Sequence, residues 1–166
     1  ADPLQGHPAA LAHARALLRA RCPDGGRMTR VYAVESSFSA TGALADHRLP
    51  LRSELILPLA AALDAAVSAA AQPLPEHGPA QPHPEAAFLA DGRVADFVAT
   101  VSRDLLAHVG RGLILAGPQQ PAAVHALCHR LDVILGNVGA TVDYVADRTP
   151  DRAAPLAALR ALTASL

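Results

Sequence analysis

Apolar residues along the chain recur at two spacings, which predict helices alternating with strands. Repeats at three and four residues are typical of amphipathic helices. They cover 8–21, the stretch that begins at Ser53, 94–109, 124–134 and 149–166. Short apolar runs of strand length cover 29–36, 47–52, 112–117 and 141–146. The hydroxyl of Ser53 is expected to cap the helix that follows it.

This order of elements indicates a parallel sheet with helices on its faces. Strands joined through helices in repeated order are typical of α/β proteins. We therefore expect a Rossmann-like fold with a mostly parallel sheet covered by helices, formed as a single domain over residues 1–166 and belonging to a larger polypeptide. Residues 72–84 contain five prolines and are predicted to form an extended connector.

Composition and charge restrict the function further. The 166 residues carry a formal net charge of −1 without a run of like charge, so the chain lacks the basic surface that nucleic-acid binding needs. Cys22 and Cys128 form no C-x-x-C pair, which argues against an iron–sulfur cluster or a four-cysteine zinc site inside this chain. We expect no apolar stretch near the length of about eighteen residues that spans a bilayer, and hence no direct membrane span.

Two stretches that follow predicted strands are the candidate binding residues. In parallel sheets, ligands bind beyond the carboxyl ends of the strands. Glu35 and Ser36 end one strand, and Gly117, Gln119 and Gln120 lie in the loop after another. An acid at a strand end can accept hydrogen bonds from a ribose, but it is also a common turn residue. The glycine fingerprint that binds phosphates is missing, since Pro118 follows Gly117.

The histidines of one predicted helix offer a possible metal pair. His125 and His129 are four residues apart on one face, with Cys128 between them. The sequence shows no H-E-x-x-H motif and no evident third ligand, so we favour a packed or solvent-facing role and predict no metal site.

Other groups with catalytic potential have an equally good structural interpretation. Asp46 and His47 could form an acid–base couple, or with Arg48 a structural ion-pair corner. The serines at 36, 37 and 39 lie in no G-x-S-x-G turn, so a hydrolase is not supported. No catalytic residue is predicted.

Two long stretches carry a family resemblance. "RVYAVESSFSATGALADHRLPLRSE" resembles the second domain of molybdopterin oxidoreductases, in which a strand ends in an acid and S-x-T-x-x-x-A-D and L-P-I-R follow. "LILAGPQQPAAVHALCHRLDVILGNVGATVDYV" is similar to a later segment of that family, with a strand ending in Gly, a helix and an L-x-G-N-x-G turn. The resemblance implies the Rossmann-like fold expected above.

The departures from that family imply a domain without catalytic activity. Active members continue with P-G-T-D, whose acid binds the guanine end of the molybdenum cofactor, whereas this chain has "RSELI" at 52–56. The amino-acid sequence of the two stretches most resembles the molybdenum-free part of the large iron–sulfur subunit of alternative complex III, a membrane quinol oxidoreductase. Glu35 would then be a remnant that caps neighbouring amides, with Ser36, Ser39 and Thr41 closing the turn.

That branch also implies where the chain works and with what. No cofactor is expected in this chain, while iron–sulfur clusters and haem are expected in the partner parts of the complex, at the outer, periplasmic face of the cytoplasmic membrane. Two alternatives stay open. One is a fragment of an active molybdopterin enzyme, and the other is a stand-alone nucleotide-binding module that uses Glu35 and the loop at 117–121.

Overall fold

The computed structural model describes residues 2–22, 28–71, 88, 91–145 and 155–165. The proline-rich connector predicted at 72–84 lies outside these residues. The helices are α1 (Ala10–Ala20), α2 (Ala40–Leu44), α3 (Ile56–Ala70), α4 (Gly92–Ala107), α5 (Ala122–Ile134) and α6 (Pro155–Ala164). The strands are β1 (Tyr32–Glu35) and β2 (His47–Pro50), and a 3-10 turn, Ser53–Leu55, precedes α3.

The two strands form a parallel sheet joined through α2. Tyr32 pairs with His47, and the register continues to Glu35 opposite Pro50. The backbone N–H of Leu51 donates to the carbonyl of Glu35, which extends the contact beyond β2. Helices and a parallel sheet together confirm the mixed α/β class.

Helix α3 connects two apolar cores. Near its start, Leu59 packs in a cluster with Leu49 and Val94, which belong to β2 and α4. Two turns later, the fully buried Val67 packs against Leu131 of α5 and Leu135, which follows it. The apolar spacing that predicted α3 therefore places one helix against both α4 and α5.

Helix α3 also corrects the prediction that no stretch is long and apolar enough to cross a membrane. With the 3-10 turn before it, the stretch Ser53–Ala70 has 18 residues and a mean hydropathy of 1.5. By length and composition alone it could cross a membrane. In the protein 22 % of this window is buried, and the buried residues of α3 are Pro58, Leu59, Asp64 and Val67.

Most predicted helices are confirmed, but two predicted strands are wrong. Residues 112–117 pair with no strand in the described part of the chain, and over 141–145 there is a single bridge, Val138 to Val142; residue 146 lies outside the described residues. In the first segment, side chains near the end of α5 take the backbone hydrogen bonds that a neighbouring strand would make. In the second, the N–H groups of Thr141 and Val142 donate to the backbone carbonyl of Asn137.

The predicted cap at Ser53 is also wrong. The residue at the cap position of α3 is Leu55, which makes no side-chain cap hydrogen bond. Ser53 lies in the 3-10 turn, and its hydroxyl donates to the hydroxyl of Ser36 at 3.3 Å.

Candidate functional site

Glu35, at the carboxyl end of β1, uses both carboxylate oxygens within the protein. Its Oε1 accepts from Arg48 Nε at 2.6 Å and from the Ser39 backbone N–H at 3.3 Å. Its Oε2 accepts from the Ser39 hydroxyl at 2.5 Å. Ala33 pairs with Arg48 in the sheet, so Glu35 and Arg48 lie on the same face. We call Glu35, Ser39, Gly42 and Arg48 the Glu35 corner.

The Glu35 corner is closed around its carboxylate. The Ser39 hydroxyl accepts from the N–H of Gly42 at 3.0 Å and so caps α2, as predicted for the turn. A Cβ at Gly42 would stand 1.9 Å from Glu35 Oε1, so only glycine leaves room for the carboxylate. Burial raises the pKa of Glu35, but hydrogen bonds from Arg48 and Ser39 outweigh it and hold the pKa below its usual value.

The other residues predicted to close this turn have different partners. The Thr41 hydroxyl donates to Asp2 Oδ1 at 2.6 Å, which ties the N-terminal segment to α2. Ser36 is exposed and contacts Ser53 through its hydroxyl. Of the three, Ser39 alone has a described hydrogen bond within the turn.

The structure does not bring the two halves of the predicted site into described contact. Gly117 is buried, Gln119 is exposed, and Gln120 donates its backbone N–H to the carbonyl of Gly117 at 2.9 Å, which forms the predicted turn. Among the described residues, no hydrogen bond or ion pair joins this loop to Glu35 or Ser36. Two cavities in the described part of the chain are lined by other residues.

A buried polar group that the sequence analysis missed lies at the end of α5. Asp132 and Asn137 are 2 % and 0 % exposed. Asp132 Oδ1 accepts from Asn137 Nδ2 at 2.8 Å and from the backbone N–H of Ile114 at 3.2 Å, while Asn137 Oδ1 accepts from the N–H of Gly112 at 3.1 Å. The Thr141 hydroxyl donates to the carbonyl of Gly112. We call these five residues the Asp132–Asn137 clip.

The sequence signal for this clip is an apolar helix that carries one acid before the L-G-N-V-G turn. Gly136 has a φ of 63°, a left-handed conformation that glycine adopts without strain, and it turns the chain so that the Asn137 N–H donates to the Asp132 carbonyl at 2.8 Å. The sequence resemblance marked this turn but gave no role to its asparagine.

The predicted histidine pair lines a cavity of about 130 Å³ on one face of α5. His125, Cys128, His129 and Asp132 face it, but His129 is bonded through Nδ1 to the Tyr144 hydroxyl at 2.8 Å. Burial, and then the charge of Asp132, raise the pKa of the Cys128 thiol, which keeps it protonated. Within the residues that the structure describes, no three ligands converge on a metal position.

Asp46 forms an ion-pair corner and not an acid–base couple. Its carboxylate accepts two hydrogen bonds from Arg21, at 2.6 and 2.8 Å, and one from the Val31 backbone N–H at 2.8 Å. The hydrogen bonds from Arg21 lower the pKa of Asp46 to about 2. The ring of His47 stacks on Tyr32 instead, with centroids 5.0 Å apart. The partner of Asp46 is thus Arg21, and Arg48 belongs to the Glu35 corner.

A further acid, Asp64 of α3, is less well paired. Arg130 Nε lies 3.2 Å from its Oδ1, yet among the described residues this buried oxygen accepts no hydrogen bond. Burial raises the pKa of Asp64, and the charge of Arg130 opposes the effect only in part.

Comparison with known protein families and with curated proteins finds no match to this chain.

Proposed function

We propose that this chain is a non-catalytic, Rossmann-like structural domain that supports a separate iron–sulfur electron-transfer module in a membrane quinol oxidoreductase. The proposal starts from the sequence resemblance to molybdopterin oxidoreductases and to their molybdenum-free branch. According to this proposal, the chain keeps the fold of a cofactor-binding domain but lacks the groups that bind the cofactor.

The observation that carries this proposal is the state of Glu35. A carboxylate that binds a ribose or a guanine accepts hydrogen bonds from the ligand on its oxygens. Here Oε1 is held by Arg48 and Oε2 by the Ser39 hydroxyl, so both oxygens serve the fold. A ligand would have to compete with Arg48 at Oε1 and with the Ser39 hydroxyl at Oε2.

The stretch that departs from the family pattern supports the same proposal. Where active members carry the acid that anchors the cofactor, this chain has the 3-10 turn Ser53–Leu55. The acid in this turn, Glu54, is exposed and pairs with Arg52 at 3.1 Å. An exposed ion pair in water adds little stability, and Glu54 does not line the cavity that Arg52 and Leu55 border.

Exposed apolar side chains favour burial against other protein. Phe38 is 72 % exposed beside the Glu35 corner, and Val145 is 85 % exposed after the Asp132–Asn137 clip. Single exposed apolar side chains also occur on monomeric proteins, and it is the proposed complex that assigns these two to surfaces covered by a partner. In the proposed complex these partners are other domains or subunits that hold the iron–sulfur clusters and haem, at the periplasmic face, with membrane attachment through them.

The test is the mass, metal content and pterin content of the native gene product. We expect a polypeptide much longer than 166 residues, rich in iron, without molybdenum and without pterin fluorescence after oxidation. Molybdenum or a pterin in stoichiometric amount would overturn the proposal and favour an active molybdopterin enzyme.

A second measurement addresses nucleotide binding by the chain itself. Calorimetric titration with guanine and adenine nucleotides is expected to give no binding heat, because Glu35 is already paired. Binding that is lost in Glu35→Gln would show a working pocket and would contradict a structural role.

A further inference from the structure

We propose that the cavity on one face of α5 is a binding site for a small organic cation, an alkylammonium ion with a short apolar body. This cavity, which we call the crevice, has a volume of about 130 Å³ and is bordered by His125, Cys128 and Asp132 among others. None of its lining residues belongs to the Glu35 corner. The site therefore goes beyond the proposed structural role.

The first observation is that the charge of Asp132 is buried without a positive partner. Asp132 is 2 % exposed and lines the crevice. Its two described hydrogen bonds come from neutral donors, the Asn137 side-chain amide and the Ile114 backbone N–H. None of the ion pairs among the described residues includes Asp132. Because a buried charge is costly unless an opposite charge accompanies it, the crevice favours a cation.

The second observation is that only one of the two carboxylate oxygens is used. Both hydrogen bonds to the Asp132 side chain end on Oδ1, and no donor to Oδ2 is found among the described residues. Since Asp132 lines the crevice, Oδ2 can accept a hydrogen bond from a ligand there while Oδ1 keeps its bonds to the clip. The negative charge also acts across the crevice, because burial and then the charge of Asp132 raise the pKa of the Cys128 thiol.

The rest of the lining decides which kind of cation fits. The stretch 113–116 and Val142 make the crevice mainly apolar. Hard metal ions such as Ca²⁺ and Mg²⁺ need several oxygen ligands, and within the described residues no three ligands converge on a metal position. An alkylammonium ion instead donates one N–H to Asp132 and packs its carbon atoms against the apolar side chains.

The volume of the crevice limits the size of the apolar body. An apolar cavity of about 150 Å³ holds a benzene molecule. The volume of about 130 Å³ therefore suits a branched chain of about four or five carbons. The crevice reaches the surface, since Leu113 and Leu115 of its lining are 54 % and 52 % exposed, so a ligand can enter from solvent.

The same alkylammonium chemistry has two sources outside this chain. One is a free alkylamine, and the other is the side chain of a lysine in another polypeptide. The chain itself contains no lysine, so it cannot fill the crevice with an alkylammonium group of its own.

Calorimetric titration of the 166-residue chain with isopentylammonium tests the site. At about pH 8 this amine is protonated, as a lysine side chain is. We expect it to bind at least about tenfold more tightly than isopentanol, which has the same body without the charge. It should exceed methylammonium, which has the charge without the body, by a similar factor. A capped Gly-Lys-Gly peptide distinguishes the sources, because tighter binding of the peptide than of the amine would identify a lysine as the ligand.

Substitutions in the crevice test its two parts separately. Asp132→Asn removes the charge but keeps an oxygen for Asn137 and Ile114, and should weaken isopentylammonium binding about tenfold or more without affecting isopentanol. Val142→Phe fills the crevice and should weaken the binding of both. The matched control is Asp143→Asn, which removes an exposed charge next to Val142 and should leave binding unchanged. Thermal melts check the fold of each variant, and if Asp132→Asn unfolds, the comparison of amine with alcohol decides alone.

Four results would overturn the proposal. Equal affinity for the amine and the alcohol would mean that the carboxylate takes no part. Binding that survives in Asp132→Asn would place the amine elsewhere, and absence of binding by every ligand would remove the site. Zn²⁺ that displaces the amine at a lower concentration would assign the crevice to a metal. None of these results affects the proposed function, whereas a pterin in the native gene product would overturn that function and leave the amine site unaffected.

Discussion

The Glu35 corner and the Asp132–Asn137 clip both hold a chain segment with one carboxylate, but they do so in different ways. Glu35 follows a strand that is already paired, and its partners are the side chains of Arg48 and Ser39. Asp132 is more deeply buried and bonds to the backbone N–H of Ile114. In the first region a sheet holds the backbone and the acid fixes a turn. In the second, the acid takes the position that a strand would have.

This difference explains why one apolar segment pairs as a strand and the other does not. A buried backbone group needs a hydrogen-bond partner, and a carboxylate meets that need as well as a carbonyl does. Burial of Asp132 is tolerated because its Oδ1 also accepts from Asn137. Disrupting the two regions should therefore lower the free energy of unfolding by different amounts. Two changes test this comparison, and two more extend it to the other paired acids, Asp46 and Asp64.

The largest effect is expected from Asp132→Ala. The substitution leaves the N–H of Ile114 and the amide of Asn137 buried without their acceptor, and should lower the free energy of unfolding by about 3 kcal/mol. Urea denaturation measures it. Asp132→Asn keeps an acceptor oxygen and should cost about 1 kcal/mol. An equal loss in both variants would mean that charge, and not the bond to the backbone, matters.

The second change is Gly42→Ala in the Glu35 corner. The added Cβ would stand 1.9 Å from Glu35 Oε1 and displace the carboxylate. We expect the free energy of unfolding to fall by about 2 kcal/mol, although alanine is favoured over glycine in a helix by about 1 kcal/mol. Chemical denaturation in a double-mutant cycle with Glu35→Ala checks the cause. The alanine should be neutral or stabilising once Glu35 is absent, and an unchanged cost would place the clash elsewhere.

The third change is Asp46→Asn, directly before β2. The pKa of Asp46 falls from 3.8 to about 2 in the folded protein, so its contribution is present above the unfolded value and is lost as the pH falls through the folded value. At about pH 6 the variant should be less stable by about 1 to 2 kcal/mol. Near pH 2 the two proteins should converge. Unfolding curves over this range test it, and a constant difference would contradict the linkage.

The smallest effect is expected from Asp64→Asn. Because burial raises the pKa of Asp64, the folded state holds the proton more tightly than the unfolded state, and stability falls as the pH rises from the unfolded to the folded value. The side chain in Asp64→Asn cannot ionise, so the variant does not lose stability as the pH rises. It should stabilise the protein at neutral pH by less than about 1 kcal/mol, as read from thermal melts. Clear destabilisation would show that the ion pair with Arg130 resembles the Glu35 corner.

Much of the secondary structure could be predicted from the apolar spacing. The spacing of Val94 to Val109 predicted α4 and that of Val124 to Ile134 predicted α5, because one helix face must meet a core. The strand at 112–117 was predicted from the same kind of pattern, and its exposure does alternate. Its hydrogen-bond partners could not be predicted, since Asp132 lies 18 residues further along the chain.

In the candidate site, too, the sequence predicted some residues, while the fold determined their partners. The sequence pointed to Glu35 as an acid at a strand end, but Arg48 becomes its partner only through the parallel register of β1 and β2. The loop with Gly117, Gln119 and Gln120 forms the predicted turn, while its place in a binding site stays a prediction. Asn137 had no assigned role until the fold placed it against Gly112.

The sequence by itself determined where helices and extended segments run, because that pattern depends on residues three or four apart, or two apart, meeting a single core. Only the tertiary structure decided which donor pairs with which acceptor. A buried carboxylate takes whichever donor the packed elements bring within about 3 Å, and that donor is the Arg48 side chain for Glu35 and the Ile114 backbone amide for Asp132.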